Sequence, residues 1–228
     1  MQFAFPWLDI FAVLWFLGAW IGYTLFAKRR ARTVSCLSYE LRRKRTDWMR
    51  QMLTRDVRLA DVSLIAALER NVSFFASSSM LILAGILTAI ASSDTIAKVL
   101  HLVMPWQQYP DALLQVKLLF LGLIYVFTFF QFTWSLRQYG FGGVLIGAAP
   151  DGKGLPEAEL MQYANKAAKV IDQAAHSFNY GLRAIYFSLA TLAWFIDSWL
   201  FMLSTVVVLL VMKHREFHSK ALKALQQV

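Results

Sequence analysis

The chain has 228 residues, of which 58% are hydrophobic and 16% charged, with a formal net charge of +9. With a mean hydropathy of +0.48, this is too apolar for an ordinary soluble domain and fits a single all-α membrane domain over residues 1–228. The basic residues flank apolar runs instead of alternating with base-stacking aromatics, so nucleic acid is excluded as a partner and anionic lipid headgroups are expected.

The first apolar run lacks a basic segment before it, and Lys28, Arg29, Arg30 and Arg32 follow it. It therefore reads as a retained helix spanning 8–27, not a secretory signal, and the positive-inside rule puts its amino terminus outside. Between 28 and 71 the chain is strongly basic: residues 28–70 hold twelve Lys/Arg and five Asp/Glu, a net of +7. This is the expected cytoplasmic loop, and its lone Cys36 admits no disulfide within the chain. Leu41, Trp48, Met49, Met52 and Leu59 recur at roughly helical spacing within it. Two readings fit that pattern: a helix lying on an anionic membrane surface, or one packed under the bundle with a solvated basic face.

From Glu69 to Ser92 about twenty uncharged residues follow a Glu-Arg-Asn triplet, enough at ~1.5 Å of rise each to span ~30 Å of hydrocarbon. This second span, 72–92, places Ser77, Ala84 and Ala91 seven apart, with Ser73 and Thr88 on the same face. Small residues let helices approach closely in lipid, so it is expected to be the central helix of the bundle. Pro105, Trp106, Tyr109 and Pro110 mark a short outer segment from Asp94 to Asp111. The third span, 112–135, puts Lys117, Ile124, Thr128, Gln131 and Ser135 on one inward face. Lys117 lies close enough to the outer boundary to snorkel.

The stretch RQYGFGGVLIGAAPDGKGLPE contains enough Gly and Pro to predict turns and no continuous helix. Pro156, Glu157 and Glu159 then start an amphipathic helix, with Leu160, Ala164, Ala167, Ile171 and Ala174 on one face, that runs directly into the fourth span. Residues 136–175 thus form a second cytoplasmic segment. Residues 182–212 could cross once as a tilted helix, which would leave Lys213, Arg215, Lys220 and Lys223 outside, or twice with a turn between Trp194 and Trp199. The charge rule favours two crossings, a fourth span over 176–194 and a short fifth over 199–212. This leaves the basic carboxyl terminus in the cytoplasm. The expected fold is a five-span inner-membrane bundle, and a chain this short would need a symmetric homo-oligomer to enclose a wide pore.

Five stretches carry a family resemblance. They are Asn71 with Ser73 to Ser77, Trp48-Met49 with Asp61, Phe132 to Tyr139, FNYGLRAIYF from Phe178 to Phe187, and the terminal REFHSKAL. Together they resemble an uncharacterised family of bacterial and plant multi-pass membrane proteins, known only as a domain of unknown function. The resemblance covers nearly the whole chain and implies an integral membrane protein; it transfers no catalytic or binding residues.

Candidate chemistry centres on the fourth span. His176, Asn179, Arg183, Tyr186, Ala190, Ala193 and Asp197 alternate in steps of three and four and form one helical stripe, opposite Leu182, Ile185, Leu189 and Leu192. An arginine inside the boundary costs about 2.5–3.5 kcal/mol on insertion scales, so Arg183 must face protein, water or a headgroup. Gln131, Ser73 and Ser77 are expected at its depth, with Glu69 nearer the inner surface. Arg183 with Asn179, Gln131 and the two serines either lines a wet cavity or lipid-headgroup site that attracts an anion, or is neutralised by Glu69 or caps carbonyls between helices and only fixes packing. Three enzyme-like patterns carry less. Gly147 to Gly154 lacks the Ser or Thr of a phosphate-binding loop. His214 and His218 supply too few metal ligands. Only His176 approaches the membrane as a haem ligand, near its edge. No cofactor, metal or catalytic residue is expected, and an ion or small-anion channel or transporter competes with a non-conducting scaffold, ahead of a lipid-modifying enzyme.

Overall fold

The computed structural model describes residues 7–103, 111–151 and 156–226. Among them are eight helices and no strand: α1 (Trp7–Thr33), α2 (Leu37–Leu53), α3 (Leu59–Ala91), α4 (Ser93–Val103), α5 (Asp111–Gly147), α6 (Glu157–Trp194), α7 (Ser198–Phe217) and α8 (Lys220–Gln226). Three are long and apolar enough to cross a membrane, over Trp7–Arg30, Leu59–Ala91 and Ala112–Gly147. The other two expected segments, 176–194 and 199–212, lie in α6 and α7. The amphipathic start at Glu157 runs unbroken to Trp194, and its inward stripe is as expected: Ala164, Ala167, Ile171 and Ala174 are buried. The helix breaks where the two tryptophans predict. Asp197 Oδ1 accepts the Trp199 and Leu200 amides at 2.7 and 3.3 Å and so caps the start of α7.

The chain divides into two compact units. The first comprises Met1–Lys28, Ser78–Phe129 and Leu182–Lys213. Its core is aromatic: Phe16, fully buried, has Phe120, Phe187 and Phe201 around it with ring centroids 5.1–5.6 Å away. The pattern follows from α1, where Ala12, Phe16, Tyr23 and Ala27 recur on one face and are all buried. The second unit comprises Arg29–Ser77, Phe130–Gly181 and His214–Val228. In it Phe132 meets Phe75 and Phe178 at 5.5 and 5.6 Å. Met49 and Met52 are fully buried, so α2 turns its apolar face into the protein, the packed reading of that helix.

Two expectations are overturned. The stretch 137–147 is helical, the last three turns of α5. Each glycine costs about 1 kcal/mol in a helix interior, but here the glycines permit close packing: a Cβ on Gly142 would lie 3.1 Å from Ile171 Cγ1. The turn signal was local; the stabilisation is tertiary. The second correction concerns α3. Only 17% of its apolar window is buried, against 44% for α5, so α5 holds the more central place. The packed face of α3 carries Val72, Ala76, Ser79 and Ile86, whereas Ser73, Ser77, Ala84, Thr88 and Ala91 are exposed. The outer segment is also more ordered than expected, since 93–103 forms α4; Pro105, Trp106, Tyr109 and Pro110 lie outside the described residues.

Candidate functional site

In the first unit the inward face of α5 carries Lys117, Ile124 and Thr128, all buried as the spacing predicts. Lys117 does not snorkel. It is 4% exposed, its Nζ donates to the Trp194 carbonyl at 2.7 Å, and it lies 5.2 Å from a Trp194 ring centroid. That carbonyl belongs to the last residue of α6, where helix geometry leaves acceptors unsatisfied and the dipole favours a cation. Asp9, 5% exposed, stands 4.0 Å from the same ammonium. Its Oδ1 also accepts Trp194 Nε1 and Ser198 Oγ, each at 2.6 Å. One carboxylate oxygen and one ammonium thus bind α1, α5, α6 and α7 together.

Arg183 belongs to the same unit. It is half-buried, with its guanidinium 5.5 Å from the Tyr23 ring of α1, a cation–π placement, and Tyr186 packs against the aromatic core. Of the stripe, Ala190 is buried and His176, Asn179, Arg183, Tyr186, Ala193 and Asp197 are half-buried; on the opposite side Leu189 and Leu192 are exposed and Leu182 and Ile185 half-buried. The remaining sequence candidates fall in the second unit. Ser73 and Ser77 are exposed, Gln131, Asn179 and Glu69 are half-buried, and Glu69 lies beside Gly140. His176 has a defined role there. Its Nε2 is 3.3 Å from Asp172 Oδ2 and 3.0 Å from Arg42 Nη2.

Asp172 is the hub of that cluster. Arg42 Nε donates to Oδ2 at 2.9 Å and Arg45 Nη1 to Oδ1 at 2.8 Å. Burial alone would raise the Asp172 pKa, but His176, Arg42 and Arg45 together hold it below the usual aspartate value. Close by, the Ser177 hydroxyl donates to Gln138 Oε1 at 3.0 Å and Ser135 to the Ala174 carbonyl at 2.7 Å. A second polar latch joins the loop before α3 to the end of α5. Arg58 donates to the carbonyls of Ala149 and Pro150 at 2.6 and 2.8 Å. Asp61, almost fully buried, accepts Trp48 Nε1 at 2.7 Å and Arg55 Nη1. Burial raises the Tyr163 pKa, and its hydroxyl donates to the Leu145 carbonyl at 2.6 Å.

Sequence reasoning missed Asp9, Ser198, Asp172, Arg42 and Arg45, and set Lys117 aside. A signal existed for three of them: Asp172 precedes His176 by four residues, and Arg42 and Arg45 stand three apart on α2. For Asp9 and Lys117 the signal was that both are ionisable groups in apolar runs. The glycine-rich run from Gly152 to Gly154 lies outside the described residues. No curated protein and no solved structure matches the chain. The model of the DUF599 family, described as a protein of unknown function, matches residues 11–221, and the chain belongs to that family.

Proposed function

We propose that the chain is an integral membrane protein that moves an ion or small anion through its first unit. In this reading it crosses a bacterial inner membrane five times, amino terminus outside and carboxyl terminus in the cytoplasm, and works as a homo-oligomer. The observation that carries the reading is the buried pair of Asp9 and Lys117, 4.0 Å apart on α1 and α5. Ionisable groups in apolar helices are costly, and membrane proteins use them on ion and proton pathways. Arg183, in the same unit, adds a guanidinium, the side chain whose fork best matches an anion.

A second reading is a non-conducting scaffold that binds anionic lipid or a partner protein. It is favoured by Arg183 lying over the Tyr23 ring, a placement that fixes packing without any ligand. Flux through proteoliposomes separates the two. Conduction of a small anion or cation by the wild type, lost in folded Lys117→Met protein, supports transport. No flux of any tested ion, with wild type and Lys117→Met equally silent, supports the scaffold.

A further inference from the structure

A cavity in the second unit has no part in that reading. It has a volume of about 460 Å³ and is lined by Arg50, Leu53, Thr54, Arg55, Asp56, Asp151, Glu157, Leu160 and Met161. This falls within the ~300–1,000 Å³ common for small-molecule sites. One wall is the end of α2 and the residues just after it, which bring Arg50 and Arg55. The rest of the lining is the first turns of α6, which bring Glu157, and Asp151, four residues past the end of α5. Leu53, Leu160 and Met161 supply the apolar lining. Arg55 is held in place from behind, since its Nη1 donates to the buried Asp61, which is fixed in turn by Trp48.

The charges select a ligand class. Among the described lining residues two guanidiniums stand with three carboxylates, so a simple phosphate meets Asp56, Asp151 and Glu157 as repulsion, and a simple amine meets Arg50 as a like charge, Arg55 being paired with Asp61 already. A molecule carrying both groups satisfies both signs of charge. We propose that this cavity binds a phosphate–amine zwitterion of the phosphoethanolamine type, its phosphate toward Arg50 and Arg55, its ammonium toward Asp151 and Glu157, and any attached hydrocarbon against Leu53, Leu160 and Met161.

Native mass spectrometry of the full chain released from detergent tests this, with phosphatidylethanolamine, phosphatidylcholine and phosphatidylglycerol offered singly and glycerophosphoethanolamine offered as the headgroup without chains. Phosphatidylethanolamine should be retained about tenfold better than the other two lipids, one because it lacks ammonium hydrogens and the other because it lacks the amine. Arg50→Gln should lower that retention by about tenfold, and Glu157→Gln should erase the preference over phosphatidylglycerol. Both side chains are exposed, so neither change threatens folding, and the exposed Lys169→Gln serves as a control without effect. Retention of glycerophosphoethanolamine as tight as that of the lipid supports the site and makes its ligand soluble; retention of the lipid alone supports the site and makes its ligand a membrane component. Equal retention of all three lipids by the wild type, or retention unchanged by both Arg50→Gln and Glu157→Gln, overturns the proposal. Neither result bears on ion flux, so the transport reading stands or falls separately.

Discussion

Gly181, inside α6, is the position where a single methyl group should do the most damage. On an open helix surface, replacing glycine with alanine stabilises by about 1 kcal/mol. Here an added Cβ would lie 2.5 Å from Phe132 Cε1 and 2.8 Å from both Cδ1 and Cζ. Carbon atoms in good contact stand about 3.5–4.0 Å apart, so the ring or the helix must retreat by roughly 1 Å. Phe132 is fully buried and held between Phe75 and Phe178, so it has no solvent to move into. Overpacking costs about 1–3 kcal/mol, and an approach of 2.5 Å to a fully buried ring belongs in the upper part of that range, about 2–3 kcal/mol. With the backbone gain set against it, Gly181→Ala should lose about 1–2 kcal/mol net, a fall in Tm of roughly 2–8 °C for a chain of this size. Thermal unfolding of purified protein in detergent reads this directly. Phe132→Leu alone should also destabilise, but Gly181→Ala with Phe132→Leu should cost less than the sum of the two, because the smaller side chain makes room for the methyl group. A Gly181→Ala protein as stable as the wild type, or strict additivity in the double variant, would refute the close approach of α6 to the Phe132 ring.

Gly85 provides the opposite case: a Cβ there meets nothing within 4 Å, so Gly85→Ala should raise stability by up to about 1 kcal/mol in the same assay. Lys117→Met should cost about 3–5 kcal/mol by leaving Asp9 charged and buried, and adding Asp9→Asn should recover part of that loss in chemical denaturation. The Asp172 cluster makes a pH prediction. Because the folded-state pKa is depressed, its stabilisation is fully present above the ordinary aspartate value of about 4 and is lost as pH falls through the lower folded value. Acid unfolding followed by circular dichroism should therefore be less steep in Asp172→Asn. Burial, and then the nearby charge of Glu216, raise the Cys36 pKa, and the thiol is fully buried. Maleimide should label it at neutral pH only after unfolding, whereas rapid labelling of native protein would contradict the packing around α2.

Where a feature depends on periodicity within one segment, it could be read from the chain. The stripe of α6, the inward face of α5 and the break before Ser198 are all of this kind. Features that depend on which segments meet could not be read so. Glycines at 140, 142 and 143 signal a turn to any local rule, yet they sit in a helix because Ile65, Ile171 and Glu69 approach them. Small residues on α3 signal a packed face, yet the packed face is the neighbouring one, marked by Val72, Ala76 and Ile86. Both errors have one cause: small residues report that close approach is possible, and only the partner decides whether it happens. The Arg183 candidates were chosen by depth along helices; Arg183 and Tyr186 belong to the first unit and the other six to the second.

The clasp of Asp9 and Lys117 was out of reach for a further reason, since its parts stand at positions 9, 117, 194 and 198 and no motif joins them. Its energetics also say what it is for. Burying an ion pair strips water from both charges, and apolar replacements of similar volume are often as stable or more so. Net stability is therefore a poor reason for four helices to converge on one carboxylate. What the pair does supply is orientation, because a tryptophan N–H, a serine hydroxyl and a helix-terminal carbonyl all have to be in register at once. It also supplies a titratable group inside an apolar unit. If orientation is its whole purpose, a neutral hydrogen-bonding substitute should preserve everything the protein does, and Asp9→Asn would be functionally silent once folded. If charge matters, Asp9→Asn should fold and yet fail, which a merely structural role cannot produce.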